Sequence, residues 1–271
     1  MVSSDDQLAE DVESPDEASV AADAPEAGHS LTHDEEDALD DEVLAEMEGV
    51  EQDESRGGQR TISVIFASIH GFDTKSDMHQ DDIEEIAMKK SDFDGELTRA
   101  IEDCGGQIDK IIRGFFMATF GTTTATKEDP VMAVLGGMRM CEIADQFDAE
   151  VHVGVNTGLA WVGQIKTERT IDTTVIGDAV NLAARLKTQA AKNQVVCSPD
   201  TYEASKDFFE YEVLRELPPG TLKGIERSMT VYEPMASTDK AEAIANLRGG
   251  DDDRLAALEE HIPEYLKAKI A

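Results

Sequence analysis

The chain has 271 residues and carries 24 Lys plus Arg against 58 Asp plus Glu, a formal net charge of −34. So acidic a balance argues against nucleic acid, whose phosphates demand Lys and Arg, and against docking on an anionic membrane. No run approaches 18 apolar residues and the N-terminus is acidic where a signal peptide would be basic, so a cytoplasmic chain without membrane insertion is expected.

Much of the charge is local. Residues 1–58 hold 21 acids and a single base, Arg56, for a net of −20, against −14 over the remaining 213 residues. A segment this rich in Asp, Glu, Ala and Ser cannot bury enough apolar surface to offset the entropy of ordering. Residues 1–58 are therefore expected to form a mostly disordered, solvating arm. Halophilic adaptation is a second source of such charge, weakened by the milder ratio in the rest of the chain. Within the arm, Thr32 and Glu35 have the spacing of a capping box, and Leu39, Val43, Met47 and Val50 follow at helical intervals. The stripe over 33–50 fits either a fraying helix or one that dimerises or binds a partner.

From Arg60 the texture changes. Thr61–Ala67 is a β-branched, apolar run that reads as a buried strand, and Asp81–Cys104 has helical composition ending at Gly105-Gly106. Strands follow at Gln107–Ile112 and Phe115–Phe120, separated by the hairpin-like break Arg113-Gly114. Pro130 opens a second helix that runs to about Phe147, in which the methionines from Met132 to Met140 fit a packed core. Val151–Asn156 and Leu159–Ile165 read as two strands around a Thr157-Gly158 turn. Thr173–Ile176 is a strand leading into a helix from Asp178 to about Ala191; strand 194–198, helix 199–206 and strands 209–216 and 222–234 complete the pattern. This β-α-β-β-α-β order predicts an α+β, ferredoxin-like fold, an antiparallel sheet with helices on one face. The expected division is arm 1–58, catalytic-type domain 59–235, and a short helical tail 236–271. Cys104, Cys141 and Cys197 are scattered and odd in number, so each reads as a small buried hydrophobe in a reducing compartment. His70 reads as a loop residue.

Four segments, in order, resemble the class III adenylate and guanylate cyclases. They are Phe66-Ala67-Ser68-Ile69-His70-Gly71-Phe72, against F-A-D-I-x-G-F, and Lys110 through Gly121, against K-x-I-G-D-G-F-M-A-x-F-G. The third is Gly154-Val155-Asn156-Thr157-Gly158 with Gly163 following, and the fourth is Asp172 through Leu186. Lys223-Gly224 and Val231-Tyr232-Glu233 resemble the family's closing strands. The ordered set spans about residues 61–235.

The resemblance implies a reaction in which the ribose 3′-hydroxyl attacks the α-phosphate of a nucleoside triphosphate, giving a cyclic monophosphate and pyrophosphate. It implies a site at a dimer interface, where one chain supplies two metal-holding aspartates and the other supplies the remaining groups. This chain keeps the second set. Lys110 stands at the base-reading lysine position and Thr174 at its partner position, in the adenine-type combination. Asn181 and Arg185, four apart on one helix face, match the residues that steady the ribose and the phosphorus. The first set is gone: Ser68 and Gly114 replace the two aspartates, and Asp73 and Asp109 lie five positions away, roughly 10 Å or more in extended chain. Arg113, beside Gly114, is either a fixed cation that binds phosphate through its fork or an exposed hairpin arginine.

The resemblance thus implies ATP or a related nucleotide as ligand and a homodimer or a heterodimer with another cyclase-domain chain. No metal ligand is expected in this chain, so Mg or Mn would come only with the aspartates of a partner. Three functions fit: the complementary half of a heterodimeric adenylate cyclase, a pseudo-cyclase acting as a nucleotide-sensing or dimerising module, or a self-sufficient cyclase with unusual metal ligation.

Overall fold

The computed structural model of the chain describes residues 57–72, 79–112, 114–166 and 171–248, excluding the side chains of 164–166, 171–174 and 247–248. The acidic arm with its expected helix over 33–50, Arg113 and residues 249–271 lie outside the described residues.

Strand β1 (Gly58–His70) is followed by α1 (Gln80–Asp103), β2 (Gln107–Ile112), β3 (Phe115–Phe120), α2 (Asp129–Gln146) and β4 (Glu150–Lys166). These six elements form the ferredoxin-like unit, with strands in the order β2-β3-β1-β4. Next come β5 (Ile171–Ile176), α3 (Asp178–Lys187), β6 (Gln194–Cys197), α4 (Pro199–Ser205), β7 (Phe209–Leu217), β8 (Met229–Ser237) and α5 (Asp239–Arg248). They extend the sheet through β6-β8-β7, and β5 pairs with the far half of β4.

Local chemistry explains the boundaries. Helix α1 buries Phe93, Leu97, Ala100 and Ile101, one stripe at helical spacing. It stops where Gly105 adopts a φ of 76° and the Gly106 amide reaches back to the Ile101 carbonyl, 2.9 Å away, a left-handed cap that glycine makes cheaply. Pro130 opens α2, and the Asp129 carboxylate accepts from the Thr126 amide at 2.6 Å. Met132 and Met140 of α2 are fully buried.

Four expectations are corrected. First, the sheet is mixed and has helices on both faces. Ile65, Ala67 and Ile69 of β1 join α1, α2 and α5 in one core, whereas Ile62, Val64 and Phe66 pack against Val175, Ala179, Val180, Ala183 and Ala184 on the opposite face. Alternation along β1 makes that division. The β5–α3 crossover brings the chain back so that β6 runs parallel to β4, as a helical crossover allows. Second, Thr157-Gly158 is not a turn: β4 is a single strand of 17 residues. The Thr157 hydroxyl is buried and bonded to Ser63 Oγ at 2.9 Å and Thr201 Oγ1 at 3.1 Å. Gly158 pairs with Ile62 and stands where a Cβ would touch Ala179 at 3.5 Å. Gly158 thus continues the strand instead of changing its direction. Helix α3 also ends at Lys187, four residues earlier than its composition suggests, and His70 is the last residue of β1 rather than a loop residue.

Cys104 and Cys197 are buried and Cys141 half-buried, all as free thiols. Burial pushes the Cys104 thiol up to about 11 and the Cys141 thiol up to about 12, and raises Cys197 as well. Thiols held protonated in this way are poor nucleophiles.

Candidate active site

The face of the sheet that carries α3 is built from the even residues of β1. Beyond Ile62, Val64 and Phe66 comes Ser68, flanked in the register by Phe115 of β3 and His152 of β4. Ser68 is 2% exposed, and its hydroxyl has no hydrogen-bond partner among the described residues. Gly114 turns the β2–β3 hairpin with a φ of 85°, and its carbonyl accepts from the Ile69 amide at 2.7 Å. That bond clamps the hairpin tip onto the end of β1. The two positions at which the resemblance expects aspartates are therefore neighbours in space, although 46 residues separate them in the chain.

The rest of this patch combines imidazole, aromatic, ammonium and carboxylate groups. His152 Nε2 lies 2.8 Å from Glu150 Oε1, and its Nδ1 donates to the Ala190 carbonyl at 2.9 Å. The His70 ring meets His152 edge-on at 5.4 Å. The Phe66 and Phe115 rings lie 6.0 Å apart. The Lys187 ammonium stands over Phe115, 4.5 Å from the ring centroid.

Helix α3 is seated on the sheet through backbone contact. A Cβ on Gly154 would come 2.1 Å from the Ala183 carbonyl oxygen and 2.5 Å from the Lys187 amide nitrogen, so only glycine admits the helix at this depth. Asn156 ties down the start of α3 by donating to the Ala179 carbonyl at 2.9 Å. Ala179, Val180, Ala183, Ala184, Leu186 and Lys187 are buried, which leaves Asn181 and Arg185 half-buried on the outer flank. Arg185 reaches toward the β7–β8 loop, its Nη1 3.4 Å from where a Cβ on Gly224 would stand.

The four residues singled out from sequence occupy three elements. Asn181 and Arg185 share α3, one turn apart. Thr174 is on β5, opposite Gly163 of β4. Lys110 is on β2, the outermost strand, just after a bulge, with its ammonium 2.6 Å from Asp109 Oδ1. An open cavity of about 630 Å³ lies at the start of α3, lined by Leu159, Trp161, Ile176 and Asp178 among others. Among the described side chains, Lys110, Asn181 and Arg185 do not line it. Lys187 was missed at the sequence level. Its signal is a lysine two positions after Arg185, which the helical period turns inward to the apolar side.

Residues 56–233 match the family described as "Adenylate and Guanylate cyclase catalytic domain". The chain belongs to that family. It is 30% identical over 185 residues to "Adenylate cyclase, terminal-differentiation specific" of Dictyostelium discoideum, covering 64% of this chain and 8% of that protein. It is 29% identical over 144 residues to an adenylate cyclase of Anabaena cylindrica, covering 47% of this chain and 27% of that one. This cyclase chain therefore matches less than a third of the length of either relative. Among solved structures, the guanylyl cyclase Cya2 superposes with a TM-score of 0.60 at 25% identity, over 68% of this chain and 96% of that one. Among the described residues of the cyclase domain no helix is long and apolar enough to cross a membrane.

Proposed function

We propose that this cyclase domain is the complementary half of a heterodimeric adenylate cyclase. The observation that supports the reading is the donor set at the end of β1. Ser68 and Gly114, joined through the Ile69–Gly114 hydrogen bond, offer one neutral hydroxyl where the resemblance expects two carboxylates.

Divalent metal ions, which the family's chemistry implies, do not fit the residues present. Hard cations such as magnesium prefer carboxylate oxygen. Here the patch holds a buried serine, a glycine, two imidazoles, the Lys187 ammonium and a single carboxylate, Glu150, which is taken up by His152 at 2.8 Å. Among the described residues, no three His, Cys, Asp or Glu side chains converge as a metal site.

The roles left to this chain are recognition and charge stabilisation. Lys110 and Thr174 read the adenine ring. Asn181 orients the ribose so that its 3′-hydroxyl faces the α-phosphorus in line. The Arg185 guanidinium offsets the negative charge that builds on the phosphoryl oxygens as the new P–O bond forms and pyrophosphate leaves. Asn181 and Arg185 are half-buried on α3, which is compatible with a site shared between two chains.

The test is a cyclase assay of the purified chain, alone and mixed with a cyclase-domain chain that carries both aspartates. The reading expects no cyclic AMP from the chain alone with magnesium or manganese, and ATP cyclisation in the mixture above the partner's own rate. Turnover of about 1 s⁻¹ by the chain alone would contradict it. A mixture that forms dimers yet gains no activity would instead support the pseudo-cyclase reading.

A further inference from the structure

Lys187 ends α3 on its buried side and is 1% exposed. Its backbone is seated over β4 at Gly154, while its ammonium stands over Phe115 of β3. Strand β1 lies between β4 and β3 in the sheet. The lysine stem therefore crosses β1 and carries its charge to the row that holds Ser68. Phe115 is the register partner of Ser68 and follows Gly114 in the chain, so ammonium, hydroxyl and glycine share one patch. An aromatic face attracts a cation, most of all where water is excluded, and the Gly154 contact fixes where the stem begins. Arg185, two residues earlier, lies on the other flank of the helix and does not contribute here.

We propose that Lys187 is the resident cation of this patch, placing one fixed positive charge where the family's metal charge is expected and closing this half-site to divalent ions. The proposal rests on the reading of Ser68 and Gly114 given above. A second cation brought to the patch meets the ammonium as a like charge in a water-poor setting, where repulsion is strong. New carboxylates introduced at Ser68 and Gly114 would pair with the lysine before they paired with a metal. Loss of metal binding is thus held in place by two features, missing carboxylates and a permanent competitor.

Two measurements on the full chain test this. In the first, urea unfolding of the parent, S68D, K187M and S68D/K187M forms a double-mutant cycle that needs no metal. A carboxylate introduced beside a resident ammonium should be tolerated better with Lys187 present than in the K187M background; strictly additive effects would overturn the proposal. In the second, Mn²⁺ binding is followed by electron paramagnetic resonance in S68D/G114D and S68D/G114D/K187M, with folding checked by circular dichroism. Affinity should rise by about tenfold or more once the lysine is removed, the scale of one close charge, and K187R in place of K187M should leave it low. Equal affinities with and without Lys187 would overturn the proposal. A coupled cycle with no Mn²⁺ binding in either folded variant would also overturn the exclusion. The failure would then belong to the reading of Ser68 and Gly114 as metal positions, not to the placement of Lys187.

Discussion

Replacing Gly154 by alanine should unseat α3. The added Cβ would stand 2.1 Å from the Ala183 carbonyl oxygen and 2.5 Å from the Lys187 amide nitrogen, both backbone atoms that no rotamer change can move. Ordinary non-bonded contacts lie at about 3.5–4.0 Å, so the helix must withdraw by about 1 Å or more. Overpacking of this kind costs about 1–3 kcal/mol, which lowers the melting temperature of a domain of this size by about 2–12 °C. Two glycines serve as controls, because a Cβ at Gly58 or Gly95 meets nothing within 4 Å. Gly58→Ala should change stability by less than about 0.5 kcal/mol. Gly95→Ala, inside α1, should stabilise by about 0.5–1 kcal/mol through the better helix propensity of alanine. Thermal melts of the full chain followed by circular dichroism read all three. A Gly154→Ala chain that melts with the parent, while Gly95→Ala shifts as expected, would refute direct backbone seating of α3 on β4.

Ser68→Ala removes a buried hydroxyl without a hydrogen-bond partner among the described residues. It should be neutral or stabilising by about 1 kcal/mol, and a urea midpoint that falls clearly would contradict that geometry. The thiols predict a pH response. Burial raises Cys104 and Cys141 from 9.0 to about 11 and about 12 in the folded chain. A folded value above the unfolded one gives stability that is complete below pH 9.0 and is lost as pH climbs through 11 and 12. The urea midpoint should fall over that window, and a Cys104→Ala/Cys141→Ala chain should show a shallower fall; an unchanged slope would count against the burial effect. Asn181→Ala should depress cyclisation by an active mixture by about 10²-fold, the usual loss of an oriented transition-state contact. An undiminished rate would remove Asn181 from the site.

How far the sequence carried the structure depends on which physical signal each feature uses. The strands of the ferredoxin-like unit announce themselves by β-branched runs, and α1 by its stripe and Gly105-Gly106 stop, all local signals. The Thr157-Gly158 pair carries turn chemistry locally, yet Ser63, Thr201 and the ladder to Ile62 supply partners from remote parts of the chain that keep it in the strand. Tertiary context overrides the local preference there. The side of the sheet that α3 covers is equally remote information, because an apolar stripe of Ala179, Val180, Ala183 and Ala184 fits either face. The ordered motifs brought out Lys110, Thr174, Asn181 and Arg185 together with the substitutions at Ser68 and Gly114. They could not bring out Lys187, whose part depends on the crossing of β1 and on the ring of Phe115.

The complementary-half reading is tested most directly by Arg185→Ala in this chain, combined with an unaltered partner that carries both aspartates. Complementation predicts that ATP cyclisation by the mixture collapses by about 10²-fold, while the variant still folds and still pairs with the partner. Cyclisation that continues at the parent mixture's rate would mean that the partner completes its sites without this chain, and would contradict the account.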